Sequence, residues 1–526
     1  MTALLERPAP PPPVDHRRAM LALARVESVR LVRHPLLVVA AVLFLGPWVF
    51  FLANGADRHP TLRDDALELQ FLVLLLFGSA AMVAANLVAL RGHRHHVDEF
   101  FGVLTLTRAR RTGGLLLALL PTGALAAVLV LLRLGVSAAL PGSVGRPHWA
   151  EVLISPVLVL LLGSVGVLLA TLVRSVVVAP VGVLAVLVST VVGGVASEPG
   201  RAMMALVPLQ VRYPPHALPD VLVDRPSAGH LAYLVGLTLL VALGALVRTG
   251  ARGSATYVAA GLAAALAAGG VAAQLPERAD VVRARAAAVD APAPLHTCRT
   301  VDGATYCAFD DFTPWIDEWA DVVAAVRGPM PAVAGPPLAV RQRIPADGSW
   351  LAGTSTLEER QAAAARRDAD DTAAGQPGAV AVGTDWSARA AAALAAAVAY
   401  RLVTGADPDN GDGLVCGARG ALVVWLVGQA GGRLAAGLRE ADELSWGALT
   451  LSDPVLSGIQ LSVPDTDAAS GLALLDRPVA GSTALVRRHW AELTDPAVGV
   501  DRFAALLGVP AAPLPPVEER HAGCAS

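Results

Sequence analysis

The 526-residue chain contains no lysine; all 41 of its basic residues are arginine. A phosphate-binding loop of the GxxxxGK type sets that lysine on the β- and γ-phosphates, so the chain cannot carry this nucleotide site. Charge of either sign is scarce, at 16% against about 25% in an ordinary soluble protein. A net charge of −3 excludes the basic footprint of a nucleic-acid binder. Aromatic residues make up only 5%, and cysteine occurs four times. The chain has no HExxH, which would place two zinc-binding histidines one helical turn apart, and its C-terminal half has no GxSxG. What remains is apolar: 54% before 49 glycines are counted. That excess is gathered into long runs, which defines an integral membrane protein.

A spanning helix needs about 20 mostly apolar residues. Seven runs qualify: 36–53, 70–90, 114–135, 151–173, 176–197, 229–247 and 255–275. The first begins after residue 35 with no small-residue cleavage site close behind it, so no secretory signal peptide is expected. The run PAPPPPV at 8–14 is low-complexity and is expected to stay unpacked. From His16 to Arg33, Leu21, Ala24, Val29 and Leu31 alternate with arginines, as in a basic amphipathic helix on a membrane surface. Pro121, Pro156 and Pro180 are positioned to kink spans three to five, and Gly163, Gly166, Gly193 and Gly194 allow close helix approach.

Positive charge stays on the cytoplasmic side. Fourteen arginines fall in the leader and the second-to-third, fourth-to-fifth and sixth-to-seventh loops, among them Arg91, Arg94, Arg108, Arg110 and Arg111. The opposite loops hold six, or seven with Arg133, diluted by Asp57, Asp64, Asp65, Glu68, Asp220 and Asp224. The N-terminus is therefore expected inside the plasma membrane, and residues 276–526 outside. Cys298 and Cys307 flank Asp302-Gly303, a hairpin signal that would bring them face to face. A disulfide there would close a short loop and needs an oxidising compartment. A zinc half-site competes with that pairing but has no further ligand at the right spacing.

Segment 91–113, RGHRHHVDEFFGVLTLTRARRTG, carries the most information about function. Val97, Phe100, Phe101 and Leu104 share one face of a short helix, with Asp98 and Glu99 in its first turn, where carboxylates suit the helix dipole. Such a helix can seat in the groove of a soluble partner. Next to it, HRHH at 93–96 reads as a solvated loop, because adjacent arginines repel a cation. With the RLVRHPLL that leads into the first span, the pattern resembles the membrane subunit of ABC transporters of the six-span exporter type, in an actinobacterial form. The resemblance implies that residues 16–33, with Arg25, Glu27, Arg30 and Arg33, are the elbow helix. It also implies that Val97 to Leu104 form the coupling helix that seats in a separate ATPase, and that Arg108, Arg110 and Arg111 make the turn into span three. The family's usual proline is missing here, where Thr105 to Thr107 stand.

The span interiors hold no acidic residue apart from Glu151 at the edge of span four, so no ion-coupled pathway is indicated. In the outer half, Trp315, Trp319, Val322 and Val323 share a face that reads as packing. A capping box is expected near Ser355 and Glu358, and helices at 385–404, 414–430, 432–443 and within 466–508. The DPDNGDG run at 407–413 superficially suggests calcium, but Gly411 stands at the third ligand position and Ala418 at the twelfth, so it reads as a turn.

The expected molecule is an all-α integral membrane bundle of about seven transmembrane helices, followed by a mainly α-helical extracytoplasmic domain. Its parts are a cytoplasmic leader at 1–35, a permease domain at 36–275 and an outer domain at 276–526. It is expected to be a transporter subunit and not itself an enzyme, with no cofactor and no metal. Its partners would be a separate ABC ATPase, a second permease in a homodimer or heterodimer, and the lipid bilayer. The alternative is a membrane-anchored sensor or degenerate peptidase-like protein without transport.

Overall fold

The computed structural model describes residues 15–54, 59–94, 106–195, 201–210, 216–331, 338–345, 357–406, 413–445, 447–456, 460–510 and 524. The 8–14 run, Ser355 and most of the DPDNGDG run lie outside them. Surface helix α1 (His16–Val32) leads into α2 (Pro35–Ala53). Pro35 stands in the first turn of α2, where a missing N–H is harmless, and the His34 ring accepts from the Leu36 N–H. Span two consists of α3 (Leu62–Val73) and α4 (Ser79–Ala89), joined by a π-helical turn over Leu74–Gly78. After the single turn α5 (Arg91–Arg94), span three comprises α6 (Arg108–Leu117) and α7 (Leu120–Ala139). Then come α8 (Trp149–Leu172), α9 (Val178–Val195), the short α10 (Arg201–Leu206), α11 (Ser227–Arg248) and α12 (Ser254–Ala272).

Among the described residues, six helices are long and apolar enough to cross a membrane: Pro35–Ala53, Leu62–Ala89, Arg108–Ala139, Trp149–Leu172, Ser227–Arg248 and Ser254–Ala272. The fifth run, 176–197, forms α9, whose apolar stretch Val178–Val192 is shorter than these. Helix α8 is the hub, packed against α3, α4, α7 and α11. Gly166 lets α8 press on α4 so closely that a Cβ there would lie 2.1 Å from the Met82 carbonyl oxygen. Small residues also join α11 to α12. A Cβ on Gly236 would lie 2.5 Å from the Ala267 nitrogen, and one on Gly270 2.4 Å from the Tyr233 nitrogen. Without a hydrophobic force between helices in lipid, close backbone contact of this kind supplies the attraction.

The C-terminal domain is mainly helical, as expected, but among the described residues it also contains six strands in two sheets, of which the sequence announces only the first hairpin. Helix α13 (Ala279–Asp290) precedes β1 (His296–Val301) and β2 (Ala304–Phe309), an antiparallel pair that sets Cys298 opposite Cys307 in a disulfide. A 3-10 turn over Asp310–Trp315 runs into α14 (Ile316–Arg327), and Trp315, Trp319, Val322 and Val323 are all buried. Strands β3 (Leu338–Gln342) and β4 (Val380–Val382) extend the sheet in parallel, with α15 (Leu357–Ala373) between them. Helices α16 (Ala388–Thr404), α17 (Gly417–Gln429) and α18 (Gly432–Glu443) follow, then hairpin β5 (Ala448–Ser452) and β6 (Gln460–Pro464). Helices α19 (Asp465–Leu475), α20 (Val479–Leu493) and α21 (Val500–Leu507) complete the domain. The run at 414–432 is the thirteen-residue α17, buried in the domain core. A second disulfide joins Cys416 to Cys524.

One element of this core is ionic. Arg341 and Arg343, each 1% exposed, face Asp370 and Asp371 across distances such as 2.9 Å for Arg341 to Asp370. Two cations and two anions balance one another in the interior, which is the condition for burying charge at all. Burial, reinforced by the two guanidinium groups, pushes the nearby His296 down to about 3, so it is neutral.

Candidate functional site

Two polar assemblies occupy opposite ends of the bundle. At the end away from the C-terminal domain, Asp15 starts α1 by accepting from the Arg17 and Arg18 N–H groups at 3.0 and 3.1 Å. The inward stripe of α1 is Ala24, Glu27, Ser28 and Leu31. Leu21 and Val29 lie off that stripe, 49% and 48% exposed. Glu27 anchors the stripe: its buried carboxylate accepts from Arg30 at 3.0 Å and from Arg91 at 3.0 and 3.3 Å. Hydrophobic pattern alone would have turned that carboxylate outward. Arg25, Arg30 and Arg33 remain exposed.

The same helix holds the far end of the 91–111 segment. Thr107 caps α6 through the Arg110 N–H at 3.4 Å, and α6 packs along α1 so closely that a Cβ on Gly114 would lie 3.3 Å from the Met20 carbonyl oxygen. Arg108 and Arg110 are exposed in the first turn, and Arg111 is half-buried. Val97, Asp98, Glu99, Phe100, Phe101 and Leu104, with His95 and His96, lie outside the described residues. The structure therefore brings together the two roots of the segment, on one helix, and places Arg91 there with Glu27.

At the other end, loops around His59, Gly142 and Ala217 are covered by the C-terminal domain. Val144, Ala217, Leu218, Leu222 and Val223 share one apolar core with Phe312 and Trp315. Trp315 Nε1 donates to the Gly142 carbonyl at 2.6 Å, and Thr384 Oγ1 to that of Ala217 at 2.6 Å. Gly142 has φ +70°, and a Cβ there would strike the His59 ring, so the contact requires glycine twice over. His59 Nε2 lies 2.8 Å from Glu318, and its Nδ1 lies 3.2 Å from the Pro141 carbonyl. Both ring nitrogens thus face acceptors, which suits the imidazolium. The Glu318 hydrogen bond, against the opposing effect of burial, raises the pKa of His59.

Beneath that junction runs a buried polar chain that sequence inspection misses. Glu151, fully buried in the first turn of α8, accepts from Ser227 Oγ at 2.8 Å and lies 3.6 Å from Arg63 Nε. Gln70 donates to the Glu151 carbonyl at 3.0 Å, and Gln210 to Ser227 Oγ at 2.9 Å. Arg63 reaches Asp220 at 2.8 Å, and Arg225 pairs with Asp64 at 2.8 Å with both side chains about 95% buried. Asp220 N–H then donates to Asp311 of the C-terminal domain at 2.7 Å. The available signal is opposite charges abutting span ends, in LRDD at 62–65 and DRPS at 224–227. Charge counting for topology treats these as solvated loops.

Among the described residues no cluster of His, Cys, Asp and Glu has the arrangement of a metal site. Compared with protein-family models, curated proteins and solved structures, the chain matches none.

Proposed function

We propose that the chain is the membrane subunit of an ATP-driven ABC transporter, coupling a separate ATPase to substrate movement through residues 91–111. The observation that supports this most is the shared mounting of that segment. Its first root is tied to α1 by the pair of Arg91 and Glu27, and its second root packs along the same helix. A push on the segment would then reach α1 and spans two and three together, as a coupling element requires. In this reading the subunit pairs with a second permease, the N-terminus is cytoplasmic and the C-terminal domain is extracytoplasmic. The two disulfides fit an oxidising side. With no lysine, the chain leaves ATP hydrolysis to its partner.

The test is a double substitution, Phe100→Ala with Phe101→Ala, in the full chain co-expressed with a P-loop ATPase encoded beside it. Co-purification of the ATPase falls by an order of magnitude or more if both rings seat in its groove, on the scale of about 2 kcal/mol per anchoring aromatic. An unchanged complex removes the coupling assignment. The variant's yield and thermal midpoint report separately whether it has folded.

A further inference from the structure

A partly open cavity of about 700 Å³ lies between α1, α6, α8, α11 and α12, in the half of the bundle away from the C-terminal domain. Its volume falls within the roughly 300–1,000 Å³ of small-molecule sites. Its walls are aliphatic, with Leu160 of α8 and Ala242 and Leu246 of α11 among them, and Arg110 stands among the lining residues at the start of α6. On α11 the lining runs from Val235 to Leu246, which at about 1.5 Å of rise per residue is some 16 Å. That is about the depth of one leaflet of a hydrocarbon core about 30 Å thick. Arg110 is exposed and makes no ion pair among the described residues.

We propose that this cavity holds an anionic phospholipid, one acyl chain lying along α8 and α11 and the phosphate resting on Arg110. Three observations favour that occupant over a free anion or a peptide. The walls offer an acyl chain apolar contact but give a peptide backbone little to hydrogen-bond: their hydroxyls are those of Ser164 and Thr238, and Thr238 Oγ1 already donates to the Leu234 carbonyl at 2.7 Å. The depth matches one leaflet. The cation stands at the mouth, where a headgroup would be. Arg108 and Arg110 also lie at the positive end of the α6 dipole, an arrangement a neighbouring phosphate would stabilise. The site is independent of ATPase coupling and stands or falls without it.

The experiment places the purified full-length protein in nanodiscs containing a trace of phosphatidylglycerol that carries a photoactivatable group midway along one acyl chain. A phosphatidylcholine with the same chain serves as the comparison, and adducts are mapped by mass spectrometry. Adducts are expected on residues 157–164 and 235–246, with phosphatidylglycerol favoured by about fivefold, the effect of one arginine at a bilayer surface. Arg110→Ala should abolish the headgroup preference, and Ala242→Phe, which fills the cavity, should reduce adducts from both lipids. Equal labelling by the two lipids, adducts spread over all lipid-facing helices, or protection of the cavity by a second copy of the chain would each overturn the proposal. Both variants are compared with the parent for yield and thermal midpoint, and a variant that fails to fold is replaced by Arg110→Gln or Leu246→Phe.

Discussion

At the scale of single residues, the buried charges dominate the energetics. Arg341, Arg343, Asp370 and Asp371 balance only as a group, and burial holds the Asp371 carboxyl above its ordinary range despite both arginines. Removing one member leaves an uncompensated charge in the interior, at a cost of about 3–5 kcal/mol. Asp371→Ala should therefore lower the thermal midpoint of the C-terminal domain by many degrees, as followed by fluorescence of the buried Trp315, Trp319 and Trp425. A midpoint within a degree or two of the parent would mean the four charges are not mutually dependent. His59 and Glu318 add a pH dependence. Burial pushes Glu318 upward, but hydrogen bonds from His59 and Trp386 reverse this and leave it below its usual 4.5. His59 is raised above 6.5. A raised histidine contributes fully below its unfolded value and loses that contribution as pH rises through the folded one, while a lowered carboxylate loses its contribution as pH falls through its own folded value. The stability difference between the parent and His59→Gln should thus be largest between about pH 4.5 and 6.5 and shrink on either side. A difference constant from pH 5 to 9 would exclude the ion pair as its source.

At the scale of elements, the helices of the bundle were legible because twenty apolar residues in a row admit few alternatives. The hairpin at Cys298 and Cys307 was legible because Asp302-Gly303 announces its turn, and Asp302 does adopt φ 48°. Strands β3 and β4 were not. In β3 the sequence LAVRQ carries an arginine, and Arg343 follows directly; only the partners on α15 make those cations buriable. The burial of Glu27 on α1 is not legible for the same reason, since its partner Arg91 arrives from 64 residues away. Close packing of α11 on α12 was also invisible, as glycine and alanine carry no periodic signal of their own. Gly270→Val should force those helices apart, and overpacking of this kind costs about 1–3 kcal/mol or more. The expected outcome is a lower yield of detergent-stable protein, while Gly261→Val, where an added Cβ would meet no atom within 4 Å, should leave yield unchanged. Equal yields of the two variants would show that the α11–α12 contact contributes little.

At the scale of the whole molecule, the organisation is a bundle with unlike ends. One end gathers α1, Arg91 and the first turn of α6, and the other is sealed by a domain that shares its apolar core with the bundle's own loops. Because Val144 and Leu222 pack with Phe312 and Trp315, the domain and the bundle cannot separate without exposing apolar surface, and movement at one should be felt at the other. The polar chain from Glu151 through Arg63 and Asp220 to Asp311 crosses that junction. Cysteine chemistry measures the assignment of sides directly. Cys298 is exposed on the edge strand β1 while Cys307 is buried, so mild reduction should open Cys298 to a bulky thiol reagent first. Applied to intact cells, a membrane-impermeant maleimide should label the reduced protein. The same reagent confined to the interior of right-side-out vesicles should not. Labelling only from the interior would place the domain in the cytoplasm, reverse the orientation derived from the arginines, and leave Phe100 and Phe101 on the wrong side for a cytoplasmic ATPase.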